Sequence, residues 1–330
     1  MAAFRRREFI KLLGVTAAMW PVAARAQEPA MRAIGYLSPR SAEVETQFLA
    51  VFRRGLSETG HVEGRNLTIE YRWADGRYEQ LPELAAELVR RRVSVITTTG
   101  GPRPARAAQS ATSTIPIVFT SGSDPVADGL VKSLNRPGGN ATGVHVFSTS
   151  LGPKRLELLR ELVPKAEAIA FLVNPRAQFA EMQATEVVAA GRSVGLQVQV
   201  LNASTAGEIV QAFANLVQGG AGAFLISADV FFQVQRDQLV SLAASHRIPV
   251  MYEWREFVEA GGLVSYATVR TDAYLQSGIY VGRILNGAKP TDLPVAQSTR
   301  FELVINLKTA KTLGLEMPAS LLARADEVAE

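Results

Sequence analysis

The sequence predicts an α/β protein of two doubly wound lobes, and three observations carry that prediction. From Met31 onward, short β-rich runs alternate with amphipathic stretches of helical period. The chain has 330 residues, more than one domain usually holds. Three passages rich in Gly or Pro interrupt the alternation, at points where the chain would pass from one unit to the other.

In the first unit the strand candidates are Arg32–Leu37, Leu67–Tyr71, Val93–Thr98, Ile117–Thr120 and Ala141–Phe147. The helix Glu45–Glu58 sets Phe48, Leu49, Phe52 and Leu56 on one stripe, and Leu81–Arg91 does the same with Leu84, Ala85 and Leu88. Gly60 and Gly64 end a helix and turn the chain into the next strand. After the turn cluster Asn135–Asn140, the strand Ala141–Phe147 leaves the first unit. The second unit follows with strands Ala168–Val173, Gln197–Leu201, Ala223–Ile226 and Pro249–Tyr252. Gly261-Gly262 before Leu263–Tyr266 marks a second crossing, and the passage from Gly287 to Thr299 before Phe301–Leu307 marks a third, with a helix at Asp272–Leu285 between them. Lobe 1 is therefore expected over 31–147 plus 263–296, and lobe 2 over 148–262 plus 297–330. Three crossings act as hinges, which makes a clamshell able to close on whatever lies between its lobes.

Composition removes several function classes. With 47% apolar and 20% charged residues the chain is not mainly disordered. It has no cysteine, which excludes disulfides, thiolate zinc sites, a cysteine nucleophile and a lipid-modified cysteine anchor. The formal charge of +4 resides in residues 1–26, where Arg5, Arg6, Arg7, Lys11 and Arg25 face Glu8 alone. The remaining chain is formally neutral, so no bulk field draws it to nucleic acid.

Those first residues have the parts of an export leader: a basic start, a moderately apolar run from Leu12 to Ala24, and Ala24-Arg25-Ala26 as a cleavage site near Ala26. The paired arginines before Phe9-Ile10-Lys11 are similar to a twin-arginine signal, which places the mature chain in a bacterial periplasm. The apolar run is too short to span a bilayer, which takes about 20 residues, so no membrane insertion of the mature chain is expected.

In open α/β sheets, ligands bind beyond the carboxyl ends of the strands, where helix N-termini present free N–H groups. That geometry nominates Ser38, then Thr98, Thr99 and Gly100, then Ser121, Ser123 and Asp124 in the first unit. These donors suit a carboxylate. In the second unit it nominates Asn174, Asp229 and Glu253, whose acidic members suit an ammonium. A zwitterion would need such opposed partners. Asp124, Asp229 and Asn174 fit turn or N-cap roles equally well, and Glu253 fits a solvated face with Arg255, Glu256 and Glu259. Tyr36, Phe147, Phe231 and Tyr252 near strand ends are candidates to sandwich a flat ligand, with core packing the alternative.

Enzyme signatures are missing. His61, His145 and His246 stand at no metal-ligand spacing, Ser121-Gly122-Ser123-Asp124-Pro125 has the wrong order for a nucleophile elbow, and no phosphate loop occurs. No catalytic residue, metal or cofactor is expected.

Six stretches, in order, carry a resemblance. They are Ile34–Ser38; Val62–Asn66 with Ile69–Arg72; Thr120–Val126; Leu134–Gly143; Glu253–Gly262; and Asn306–Ala310. Together they resemble the extracytoplasmic substrate-binding proteins of ABC transporters related to the tryptophan/tyrosine-binding group, over nearly all of the mature chain. The resemblance implies a type I periplasmic-binding fold of two Rossmann-like lobes joined by three hinge crossovers. It implies a small-molecule ligand in the interlobe cleft, an amino acid or a related aromatic or carboxylate compound, delivered to an ABC permease with a cytoplasmic ATPase. The chain is expected to be a monomer. A periplasmic receptor that senses the ligand for a signalling partner is the alternative. One stretch departs from the pattern: Gly100-Gly101-Pro102-Arg103-Pro104-Ala105-Arg106 carries two arginines where relatives have small residues, so Arg103 or Arg106 either faces the cleft toward an acid or points to solvent.

Overall fold

Strand pairing in the computed structural model, which describes residues 31–330, sorts the chain into two sheets. The chain first lays down β1 (Arg32–Ser38), α1 (Ala42–Glu58), β2 (Leu67–Trp73), α2 (Leu81–Arg90), β3 (Ile96–Thr98), α3 (Pro102–Ala111), β4 (Ile117–Ser121) and β5 (Ala141–His145). It then builds α4 (Gly152–Leu162), β6 (Ala168–Val173), α5 (Ala180–Ser193), β7 (Gln197–Asn202), α6 (Ala206–Gln218), β8 (Ala223–Ile226), α7 (Val230–Val234), α8 (Arg236–His246), β9 (Val250–Tyr252), α9 (Arg255–Glu259) and β10 (Val264–Thr268). Helix α10 (Arg270–Leu285) and β11 (Ala296–Gln297) return to the first lobe. Strand β12 (Phe301–Asn306), α11 (Leu307–Leu313), α12 (Ala319–Leu322) and β13 (Glu327–Ala329) complete the second.

The first sheet runs β11-β5-β4-β3-β1-β2, every pair parallel. The second runs β13-β12-β10-β9-β8-β6-β7, parallel from β10 to β7, with β12 antiparallel to β10. Both are doubly wound, as the alternation predicts. Central strands such as β4 and β8 are buried along their whole length, because helices cover both faces of a parallel sheet. Strand β7 lies at an edge, and its residues are half-buried or exposed.

The expected boundary at 263 is corrected. Strand β10 pairs with β9 and β12, so Leu263–Thr268 belong to the second lobe and the chain crosses at Val269. Gly261 and Gly262 serve a turn within that lobe instead: Gly261 has φ +103°, and a Cβ on Gly262 would lie 2.7 Å from the Tyr252 ring and from Phe257 O. The other two passages between the sheets run through residues 146–151 and 298–300. Strands β11 and β13, of two and three residues, are too short to show a period in sequence.

Helix α10 is what returns to the first lobe, burying Tyr274, Val281 and Ile284 against Ile34, Phe48 and Phe52. It approaches α1 closely because Gly55 and Gly278 face each other; a Cβ on Gly278 would stand 2.2 Å from Phe52 O. Gly278→Val should therefore lower stability by about 1–3 kcal/mol through overpacking. Urea unfolding of the mature chain reads this, and an unchanged midpoint would show that the helices separate without cost.

Candidate functional site

A cavity with ≈ 760 Å³ of empty space, its open mouth included, lies between the lobes at the carboxyl ends of the strands. Nearly every strand end supplies a residue: Arg40 after β1, Tyr78 after β2, Gly100 and Arg103 after β3, and Thr120 and Ser123 at β4. From the second lobe come Gln178 and Phe179 after β6, Asp229 and Gln233 after β8, and Glu253 and Trp254 after β9. Ser148 and Thr149 of the first crossing and Arg270 of the second close the hinge side.

The first-lobe wall is organised by Glu45, fully buried in the first turn of α1. Its carboxylate accepts from Tyr36 Oη at 2.7 Å, Tyr274 Oη at 2.9 Å, Ser38 Oγ at 3.1 Å, Thr99 Oγ1 at 3.2 Å and Arg40 Nη1 at 2.8 Å. Burial pushes the Glu45 carboxyl up, but the Arg40 guanidinium and these donors outweigh it and hold the group below the usual glutamate range. Arg40 is thereby fixed, with Nε aimed across the cavity.

The second-lobe wall carries the opposite charge. Glu253 is 3% exposed, and burial pushes its carboxyl up despite the nearby Arg155, Arg270 and Arg40. Asp229 caps α7, accepting from Phe231 N at 3.0 Å, and accepts from Asn174 Nδ2 at 2.8 Å; burial raises it too. Beneath Glu253 lies Arg155, 1% exposed, donating to Ser148 O at 3.2 Å and Tyr266 O at 2.8 Å. It ties the first crossing to β10, and burial draws its pKa down to about 10.

The lobes touch across the cavity. Arg40 Nε donates to Gln233 Oε1 at 2.8 Å, Gln47 Nε2 to Glu256 Oε1 at 3.3 Å, and Arg103 Nη2 to the backbone oxygen of Arg176. Arg270 stacks between the rings of Phe48, at 4.1 Å, and Trp254, at 4.7 Å, which join the first lobe to the second at the hinge. Three buried groups on the cavity wall have no hydrogen-bond partner within the protein: Thr120 Oγ1, Trp254 Nε1 and Arg270 Nε.

Of the residues nominated from sequence, Gly100, Ser123, Asp229 and Glu253 line the cavity. Ser38 and Thr99 sit behind the wall as partners of Glu45, and Thr98 is buried in β3. Ser121 backs Ser123 at 3.1 Å, and Asn174 positions Asp229. Asp124 is exposed and accepts from Val126 N at 2.8 Å, which is the turn role. Phe147 does not line the cavity; at φ 53° its ring packs on His145, 4.0 Å between centroids. The other nominated aromatics are also displaced: Tyr36 and Tyr252 are fully buried, and Phe231 packs on Phe232. The rings that line the cavity are those of Tyr78, Phe179, Trp254 and Tyr274. Within the departing loop, Arg103 faces the cavity and stacks 4.6 Å over Tyr78, whereas Arg106 donates to Asp128 O. Sequence reading missed Arg40, Gln233 and Arg270. The strand-end rule reached Arg40 only as far as its neighbour Ser38, and Arg270 was hidden by the misplaced second crossing.

The sequence model for ABC transporter substrate binding proteins matches residues 46–329. The chain belongs to the ABC transporter substrate-binding protein family. It is 28% identical over 265 residues to a tyrosine-binding protein of Clostridioides difficile, covering 80% of this chain and 76% of that one. Among solved structures it is similar to a conserved domain protein of Vibrio cholerae, with TM-score 0.83 and 26% identity. It is also similar to an ABC domain in complex with L-Trp from Streptococcus pneumonia, with TM-score 0.80 and 26% identity. Each of these matches covers 90% of this chain and 99% of the other. Against the ligand-free, open form of a substrate-binding protein from Clostridium difficile, at 27% identity and the same coverage, the TM-score is 0.67. The lower score against an open form accords with the contacts that this family member makes between its lobes. The family, the clostridial relative named for tyrosine and the streptococcal domain with L-Trp are substrate-binding proteins and not enzymes.

Removing the Glu45 acceptor would strand Arg40 in the interior. Glu45→Ala should cost about 3–5 kcal/mol, the size expected when a buried pair loses one partner. Because the folded pKa is lowered, the stability that Glu45 contributes is present above the ordinary glutamate value of about 4.3 and fades as pH falls through the folded value. Urea midpoints of both proteins across acid pH check this; midpoints that coincide at neutral pH would remove Glu45 from the centre of the wall.

Proposed function

We propose that the chain is the periplasmic solute receptor of an ABC importer, capturing an amino acid or related aromatic acid between its lobes and presenting the closed form to a permease coupled to a cytoplasmic ATPase. One observation carries the ligand class: the cavity sets Arg40, Arg103 and Arg270 opposite Asp229 and Glu253, with Tyr78, Phe179, Trp254 and Tyr274 around them. Guanidinium groups on one side and buried carboxylates on the other suit a zwitterion, since each buried charge then meets its opposite. The rings suit an apolar or aromatic side chain, and the unpaired Thr120, Trp254 and Arg270 groups await acceptors. The L-Trp bound by the streptococcal protein and the tyrosine of the clostridial relative's name support the same class.

The export reading rests on residues 1–26, which lie outside the described residues; among the described residues no helix is long and apolar enough to cross a membrane. We take the receptor to act as a monomer. Closing such a clamshell from about 1% to 99% takes about 5.5 kcal/mol of preference for the closed state, within reach of a few charge-assisted hydrogen bonds and stacked rings.

Purified residues 27–330 should show a rise in melting temperature with L-Trp or L-Tyr in a thermal-shift screen of amino acids, aromatic acids and small amides, and the ligand should be recovered unchanged. A response confined to sugars or polyols would reject the ligand class. The pH dependence is specific. A carboxyl raised by burial stays protonated to higher pH than usual; a ligand ammonium favours its carboxylate, so binding releases a proton. Affinity should rise with pH above the ordinary value of about 4.3. Glu253→Gln should flatten that slope and cost about 2–5 kcal/mol of binding by calorimetry; an unaltered slope would take Glu253 away from the ammonium.

A further inference from the structure

The carboxamide of Gln233 stands in the cavity between the charges of the two lobes. Its Oε1 accepts from Arg40 Nε at 2.8 Å and from Arg270 Nη1 at 3.5 Å, while its Nε2 donates to Glu253 Oε2 at 3.2 Å. This orientation is dictated chemically, because guanidinium groups only donate and a carboxylate only accepts. Arg40, Arg270 and Glu253 are 5%, 6% and 3% exposed, so each has little water to turn to. One planar, neutral group thus supplies the acceptor and the N–H donor that an α-amino acid supplies as carboxylate and ammonium. Gln233 belongs to α7 of the second lobe and Arg40 to the first, so the amide also bridges the lobes.

We propose that Gln233 is an internal competitor for the ligand's head group: the lobes close on its amide, and an incoming ligand must displace it from Arg40, Arg270 and Glu253. The inference rests on the zwitterion-binding reading above and adds the residue that sets its affinity. Arg40 also pairs with Glu45, and Arg270 with Glu256 at 3.8 Å, but closure that left Arg40 Nε and Glu253 Oε2 without a hydrogen-bond partner would be penalised by desolvation. The amide satisfies both signs at no net charge, which gives the receptor a closed arrangement of its own. Apparent affinity is then reduced by the fraction of protein already paired with itself. Displacement also favours ligands that carry both polar ends, since a ligand with one end leaves a buried charge exposed by the departing amide.

The test uses the mature chain, unfolded and refolded to strip any copurified ligand, with Gln233→Ala and Gln233→Leu beside the wild type. Small-angle scattering without ligand should give a larger radius of gyration for both variants. Calorimetry should give Kd values for L-Trp or L-Tyr at least threefold lower than wild type. Equal radii in all three proteins would overturn the proposal, as would weaker binding by both variants, which would make Gln233 a ligand contact. Gln233→Leu keeps the side-chain volume and carries both readouts if Gln233→Ala fails to fold. If the wild type binds neither amino acid, the proposed ligand class falls, and the scattering result still decides whether the lobes close on the amide.

Discussion

A carboxylate sealed from water governs the first lobe. Glu45 has no solvent to accept from, and its place in the first turn of α1 is tenable only because five side-chain donors converge on it. Those donors come from β1, the segment after it, the end of β3 and helix α10. One buried charge thus holds together elements separated by more than 200 residues. It also holds Arg40 so that one face of the guanidinium answers Glu45 and the Nε faces the cavity. The close approach of α1 and α10, allowed by Gly55 and Gly278, brings Tyr274 to the same carboxylate.

The second lobe meets this wall with carboxylates that are poorly compensated. Glu253 has Gln233 as a direct hydrogen-bond partner and Arg155 as a near charge, and burial still pushes its carboxyl above the usual glutamate range. On the proposed reading, cations fixed on one side and an acid held back on the other make a site whose electrostatics improve when a zwitterion enters. The hinge shares in this economy. Arg155 joins the first crossing to β10, and Arg270 at the second lies between Phe48 and Trp254, so movement of the lobes disturbs the same guanidinium groups that border the cavity.

Much of the fold was legible because its signals are local. Strand β6 is a continuous apolar run, helix α1 shows its buried stripe at Phe48, Leu49, Phe52 and Leu56, and both recur in the structure. The second crossing was misplaced because a Gly-Gly pair signals a turn without saying which sheet the next strand joins. That choice is made by the pairing of β10 with β9 and β12, which has no counterpart in the composition of Leu263–Tyr266. Strands β11 and β13 owe their existence to neighbours already in place.

For the site, the sequence by itself determined which strand ends would face the cleft. It determined this because the carboxyl ends of parallel strands share one edge, whatever their side chains. Only the tertiary structure decided which side chains at those ends reach the cavity. Asp124 and Glu253 are both acids just beyond strands, yet one caps an exposed turn and the other is buried against Gln233. Burial depends on which elements pack over a residue: Glu253 meets Gln233 of its own lobe and the charges of Arg40 and Arg270 from the other, an arrangement that no local pattern around residue 253 encodes.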